Sequence, residues 1–100
     1  MTDRWTSLSE KERLVLELLG RGQMYGLELV AASEGALKRG TVYVTLGRME
    51  AKGYVSSRQE AEPPAQGGLP RRQYEATAYG RELLGAWTSA RRRLAVRFAR

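Results

Sequence analysis

The sequence predicts a mainly α-helical chain that carries a two-stranded β hairpin and ends in a further helix. Three observations predict it. Apolar residues recur at helical spacing in three short blocks that glycines close. A short alternating segment follows, then a loop holding all three prolines (Pro63, Pro64, Pro70), then a second short segment. From about Ala78 onward, Leu83, Trp87, Ala90, Leu94 and Phe98 recur at spacings of four, three, four and four. That is the roughly 3.5-residue period of a helix that packs against other helices. Three short helices and then strand, long loop, strand is the order of a winged helix-turn-helix, so the fold class is mainly α with a two-stranded β wing, plus a C-terminal dimerisation helix.

The first helix follows Ser7 and Ser9, each with a glutamate three residues on (Glu10, Glu12), and either pair can form a capping box. Leu14, Val15, Leu18 and Leu19 make its apolar face, Leu16 widens it, and Gly20 and Gly22 stop it. A second helix, from about Tyr25 to Ser33, is expected to turn Leu27, Val30 and Ala31 inward and to end at Gly35. The third begins near Lys38 to Thr41 and runs to about Lys52. Its Val42, Leu46 and Met49 share a buried stripe, while Thr41, Thr45, Arg48 and Lys52 form a polar, cationic face with Tyr43 at its edge. Gly53 closes it.

Tyr54 to Arg58 reads as one strand and Arg71 to Ala76 as the returning one, with Glu60 to Pro70 as the loop between them. The last helix has little left to cover in so small a wing-bearing body, and a partner chain is its natural receiver. Residues 1–77 are therefore read as the winged helix-turn-helix unit, and 78–100 as the dimerisation helix.

Charge points to the partner. The chain carries 17 Lys and Arg against 11 Asp and Glu, a net +6. Residues 1–37 sum to −2, 38–77 to +3 and 78–100 to +5, so the cationic excess lies on the middle and the tail, as a polyanion-binding surface requires. Cysteine and histidine are both absent, which removes disulfides, thiolate metal sites and the commonest general base. No nucleophile–base pair, phosphate-binding loop or carboxylate cluster is present in the pattern, so a binding protein without catalytic or metal chemistry, and without a cofactor, is expected. No apolar run reaches the roughly 20 residues that span a bilayer, and the N-terminus lacks a secretion pattern. A cytoplasmic location follows as an expectation.

Three blocks carry a resemblance. Tyr25-Gly26-Leu27-Glu28-Leu29, the stretch from Arg39-Gly40-Thr41-Val42-Tyr43 to Lys52-Gly53-Tyr54-Val55, and Pro70-Arg71-Arg72-Gln73-Tyr74-Glu75-Ala76-Thr77-Ala78-Tyr79-Gly80 stand in order and at the right spacing. Together they resemble PadR-family transcriptional regulators over about residues 8–85, in the compact subgroup with one short C-terminal helix. Val44 stands where that family often has proline, and Gly47 where a larger residue is usual. The resemblance implies a bacterial DNA-binding homodimer, a role in repression, a DNA contact for Tyr43, and in some members a flat aromatic effector near the dimer interface.

The residues themselves suit double-stranded DNA. A major groove about 12 Å wide admits a helix with polar outward side chains. Thr41 lies near the positive helix end, where hydroxyl and backbone amides suit a phosphate, and Lys38 and Arg39 precede it. Thr45 and Arg48 are placed to read bases, Lys52 shares their face, and Arg71 and Arg72 at the wing suit the DNA backbone or the minor groove. Leu83, Trp87, Ala90, Leu94 and Phe98 are the expected dimer interface. Trp87 is also the candidate contact for a small aromatic effector, with plain dimer packing as its alternative. Arg91-Arg92-Arg93, Arg97 and Arg100 read as a solvated basic tail. Two other functions fit the same surfaces: a winged-helix adaptor between proteins, and a nonspecific DNA-binding architectural protein.

Overall fold

The structure, a computed structural model, describes residues 8–61 and 70–98, the side chains of 96–98 excepted. Ser7, the loop from Glu62 to Leu69, Arg100 and the side chains of Arg97 and Phe98 therefore lie outside the described residues. Helix α1 (Glu10–Leu19) opens on the Ser9/Glu12 capping box: the Glu12 amide donates to Ser9 Oγ at 3.1 Å, and the Ser9 amide to Glu12 Oε1 at 2.9 Å. Val15, Leu16, Leu18 and Leu19 are buried, with Leu14 half-buried beside them. The helix stops where the Gly20 amide turns back to Leu16 and Glu17, and Gly22 takes φ +134°, a conformation open to glycine.

A short strand that periodicity did not reveal comes next. Strand β1 (Met24–Tyr25) pairs antiparallel with the hairpin, so the expected two-stranded wing is a three-stranded sheet of order β1-β3-β2. Two residues are too few to show alternation. Helix α2 (Gly26–Ala32) then buries Leu29 completely, while Leu27 is 43% exposed and Ala31 faces outward. The expected inward set of Leu27, Val30 and Ala31 is thus corrected to Leu29 with half-buried Val30. In a helix of two turns holding five apolar side chains, spacing alone does not select the face. Ser33 fastens the following turn: its Oγ donates to the Val30 carbonyl at 2.7 Å and accepts from the Leu37 amide at 2.9 Å.

Helix α3 (Val42–Ala51) lays Val42, Leu46 and Met49 into the core as predicted, and Gly53 ends it at φ +80°. Strands β2 (Val55–Gln59) and β3 (Arg72–Ala76) pair from Val55↔Ala76 to Gln59↔Arg72. Helix α4 (Ala78–Phe98) starts at a tight joint. Thr77 Oγ1 accepts from the Gly80 amide at 3.0 Å and donates to the Gly53 carbonyl at 2.6 Å. Gly80 presses so close to the residue before β2 that a Cβ there would lie 2.1 Å from the Tyr54 carbonyl oxygen.

The core therefore gathers α1, α2, α3, the sheet and the first turns of α4, with Leu83 among its members. Of the residues expected at a dimer seam, Leu83 and Ala90 are already covered within the protomer. Trp87 is half-buried, and Leu94 remains 50% exposed. No described buried side-chain nitrogen or oxygen lacks a hydrogen-bond partner.

Candidate nucleic-acid interface

The buried stripe of α3 fixes which side faces out. At about 100° per residue, Val44 lies opposite that stripe, and Thr41, Gly47, Arg48 and Ala51 fall within about 60° of it. All five are exposed. Thr45 and Lys52 lie further round, on the flank that meets the start of α1. There they line a groove of about 540 Å³ with Arg48 and residues 9–12.

The expected cationic face is therefore split. Arg48 is exposed and, like Lys38 and Arg39 on the approach to α3, makes no side-chain hydrogen bond or ion pair among the described residues. Lys52 is engaged: its Nζ donates to Glu12 Oε2 at 2.8 Å and lies 5.5 Å from the Tyr54 ring centre. Burial by itself would raise the Glu12 carboxyl, but hydrogen bonds from Lys52 and the Ser9 amide outweigh it and hold the group below the usual carboxylate range. Thr41 precedes the helix with its Oγ1 only loosely turned to the Lys38 carbonyl, at 3.5 Å. The Thr41 amide and that of Val42, the first of α3, both donate to the Lys38 carbonyl, at 3.1 and 2.9 Å, so these two amides are not open to a phosphate.

Tyr43 is half exposed at the edge of this face, and α2 sets its position. Its ring edge lies over Gly26, where a Cβ would sit 2.5 Å from Tyr43 Cε1. The glycine in the Tyr25-Gly26 pair thus exists to seat the tyrosine of the third helix, a relation visible only once the two helices are packed. Tyr25, Leu27, Tyr43, Tyr74, Arg71 and Arg72 border a cleft of about 450 Å³ between α2 and the wing.

At the wing base the two expected arginines are held by neighbours. Arg71 stacks 4.1 Å from the Tyr25 ring centre and pairs with Glu60 at 3.4 Å. The Tyr25 hydroxyl also donates to Glu60, and this hydrogen bond raises the tyrosine pKa above its ordinary value. Arg72 spans the hairpin, donating to Ser57 Oγ at 3.0 Å and Gln59 Oε1 at 3.3 Å. Both guanidinium groups remain exposed, but each is anchored. Arg58 is the wing cation without a side-chain partner among the described residues. Burial raises the pKa of Tyr74 on β3.

Away from this face, Trp87 lies with its ring centre 4.7 Å from the Arg13 guanidinium carbon and 5.4 Å from that of Arg91. The outward placing of Val44 and Gly47 escaped the sequence reading, because an apolar residue on a helix was assigned no outward role. Their spacing of two and five residues from buried Val42 was the available signal.

Comparison with known proteins decides the family. Residues 15–86 match the model of the transcriptional regulator PadR-like family. The chain belongs to that family. The crystal structure of a PadR family transcription regulator from Clostridium difficile is 26% identical, covers 92% of this chain and 100% of its own, and superposes with a TM-score of 0.75. A PadR family transcriptional regulator from Eggerthella lenta is 27% identical over 85% of this chain and 74% of its own, with a TM-score of 0.70. Bacillus subtilis PadR, solved in complex with operator DNA, shares the fold at 18% identity and a TM-score of 0.71, over 81% of this chain and 48% of the longer one. No curated protein matches. The PadR-like match spans the seat of Tyr43 on Gly26 and the Thr77–Gly80 joint, the two tight contacts described above. No described helix is long and apolar enough to cross a membrane.

Proposed function

We propose that this PadR-like chain is a sequence-specific DNA-binding regulator that acts as a homodimer joined through α4. It would place one copy of α3 in each of two successive major grooves, about 34 Å apart, on a pseudo-palindromic operator. One observation carries the reading: Lys38, Arg39 and Arg48 stand exposed on and just before the outward face of α3, without a side-chain partner among the described residues, and Arg58 does the same on the wing. Cations that the fold does not use are available to phosphates and base edges. The likeness in fold to a PadR solved with operator DNA supports it. Repression follows from occupying promoter DNA. Relief would come from a small aromatic effector near Trp87, provided the effector binds the two protomer spacings unequally. Such a ligand must displace or stack beside Arg13 or Arg91 to reach the indole.

Titration of labelled duplexes tests the core of this proposal. Affinity should fall steeply between about 50 and 200 mM salt, and a sequence selected from random DNA should outcompete bulk DNA by about 10³ or more. Arg48→Ala should cost about 1–3 kcal/mol and relax one position of the site. Salt-insensitive, DNA-free behaviour would instead favour the protein adaptor, and equal affinity for all duplexes the architectural protein.

A further inference from the structure

We infer that Val44 is a base-reading residue, and that it recognises the 5-methyl group of a thymine in each half-site. This rests on the DNA-binding reading and names part of its specificity. Val44 sits at the middle of the outward face of α3 and is 54% exposed, although it is a branched apolar side chain, and it stands outside the core formed by the described residues. Its outward neighbours leave it clear. The helix's own backbone and its chain neighbours apart, no described atom lies within 4 Å of where a Cβ on Gly47 would stand, and Arg48, one turn further along, has no partner among the described residues.

In the major groove every polar base edge needs a hydrogen-bonding partner, which valine cannot supply. The one apolar feature there is the thymine methyl. A valine pressed against a cytosine amino group or a guanine oxygen would strip water from it without replacement, a loss that selects against those bases. Arg48 lies about 6 Å along the helix from Val44, so the guanine it suits falls one or two base steps from that thymine.

The test uses the full chain and a duplex selected by it from random DNA. Each thymine is replaced in turn by deoxyuridine, which removes only the methyl group, and affinities are measured for the wild type and for Val44→Ala. The wild type should lose about fourfold at one thymine per half-site, the worth of one buried methyl-sized group. Val44→Ala should bind the thymine and uracil duplexes alike at that position and keep the wild-type melting temperature. Arg48→Ala should keep the uracil sensitivity while losing preference at the adjacent guanine. A uracil loss of equal size in wild type and Val44→Ala, or none at any position, overturns the assignment of Val44 alone. Failure to select any duplex overturns the DNA-binding reading and this inference with it.

Discussion

Gly80 and Gly26 both leave no room for a Cβ, yet what they would strike differs. At Gly80 the obstacle is the backbone carbonyl of Tyr54, 2.1 Å away, which also accepts the Thr77 amide at 3.0 Å. It cannot retreat without opening the joint between β2 and α4. Gly80→Ala should therefore cost about 3 kcal/mol, the upper range for overpacking. At Gly26 the obstacle is the ring edge of Tyr43, which is 50% exposed and free to swing outward. Gly26→Ala should keep the fold, and lose DNA affinity to the same extent as Tyr43→Ala, because the ring is driven from its seat. Thermal unfolding and duplex titration of the three variants separate the cases. Wild-type affinity in Gly26→Ala would show that the position of Tyr43 is immaterial. Periodicity placed Tyr43 at the edge of the face, but nothing in a linear spacing ties residue 43 to residue 26; that relation belongs to the packing of α2 on α3.

Between elements, the ion pair of Glu12 and Lys52 joins the first turn of α1 to the end of α3, with the carboxylate nearly buried and the ammonium half exposed. The same carboxylate closes the capping box, so one side chain serves two elements. Because its pKa is lower in the folded chain than in the unfolded one, the pair contributes fully above the unfolded value of about 4.3 and loses its contribution as pH falls through the lower folded value. Wild type should exceed Glu12→Gln in stability by about 1 kcal/mol at pH 7, a figure kept low by the exposure of Lys52. Denaturant unfolding from pH 7 to pH 3 should show that gap closing below about pH 4; a constant gap would mean the charge of Glu12 plays no part. The assignment of Lys52 to DNA was natural from sequence, since a lysine 40 residues from its carboxylate advertises only its charge. Helices α1 and α3 were legible because their apolar stripes are unambiguous over ten residues each. The inward face of α2 was not, nor was β1, whose pairing with Tyr74 and Gln73 is a long-range event. On α3 the buried stripe was read correctly while the middle of the opposite face was assigned to polar residues, although the same geometry puts Val44 there.

At the scale of the whole molecule, the protomer accounts for only part of α4. Leu83 belongs to its own core and Ala90 is covered, so these two can add little to a second copy. The part left for dimerisation is the helix beyond them, where Leu94 presents half its surface to solvent and every described residue from Arg91 to Ala95 is exposed. Burying a leucine is worth about 1.5–3 kcal/mol, and a two-fold contact counts it twice. Against this stand Arg91, Arg92 and Arg93, whose like charges gather at the same place and weaken association at low salt. Dimerisation through α4 should therefore tighten with added salt, whereas DNA binding weakens with it, and an intermediate ionic strength should give the best operator occupancy. Leu94→Glu should leave protomer stability within about 0.5 kcal/mol, since the site is exposed, yet raise the dimer dissociation constant by at least about tenfold. Sedimentation over a range of concentrations reads the change in dissociation constant. Titration with one and with two half-sites reads its consequence: the single half-site should bind as before, and the gain from the second should vanish. If Leu94→Glu sediments as the wild type does and keeps that gain, the seam lies elsewhere and the second copy must be held by another surface.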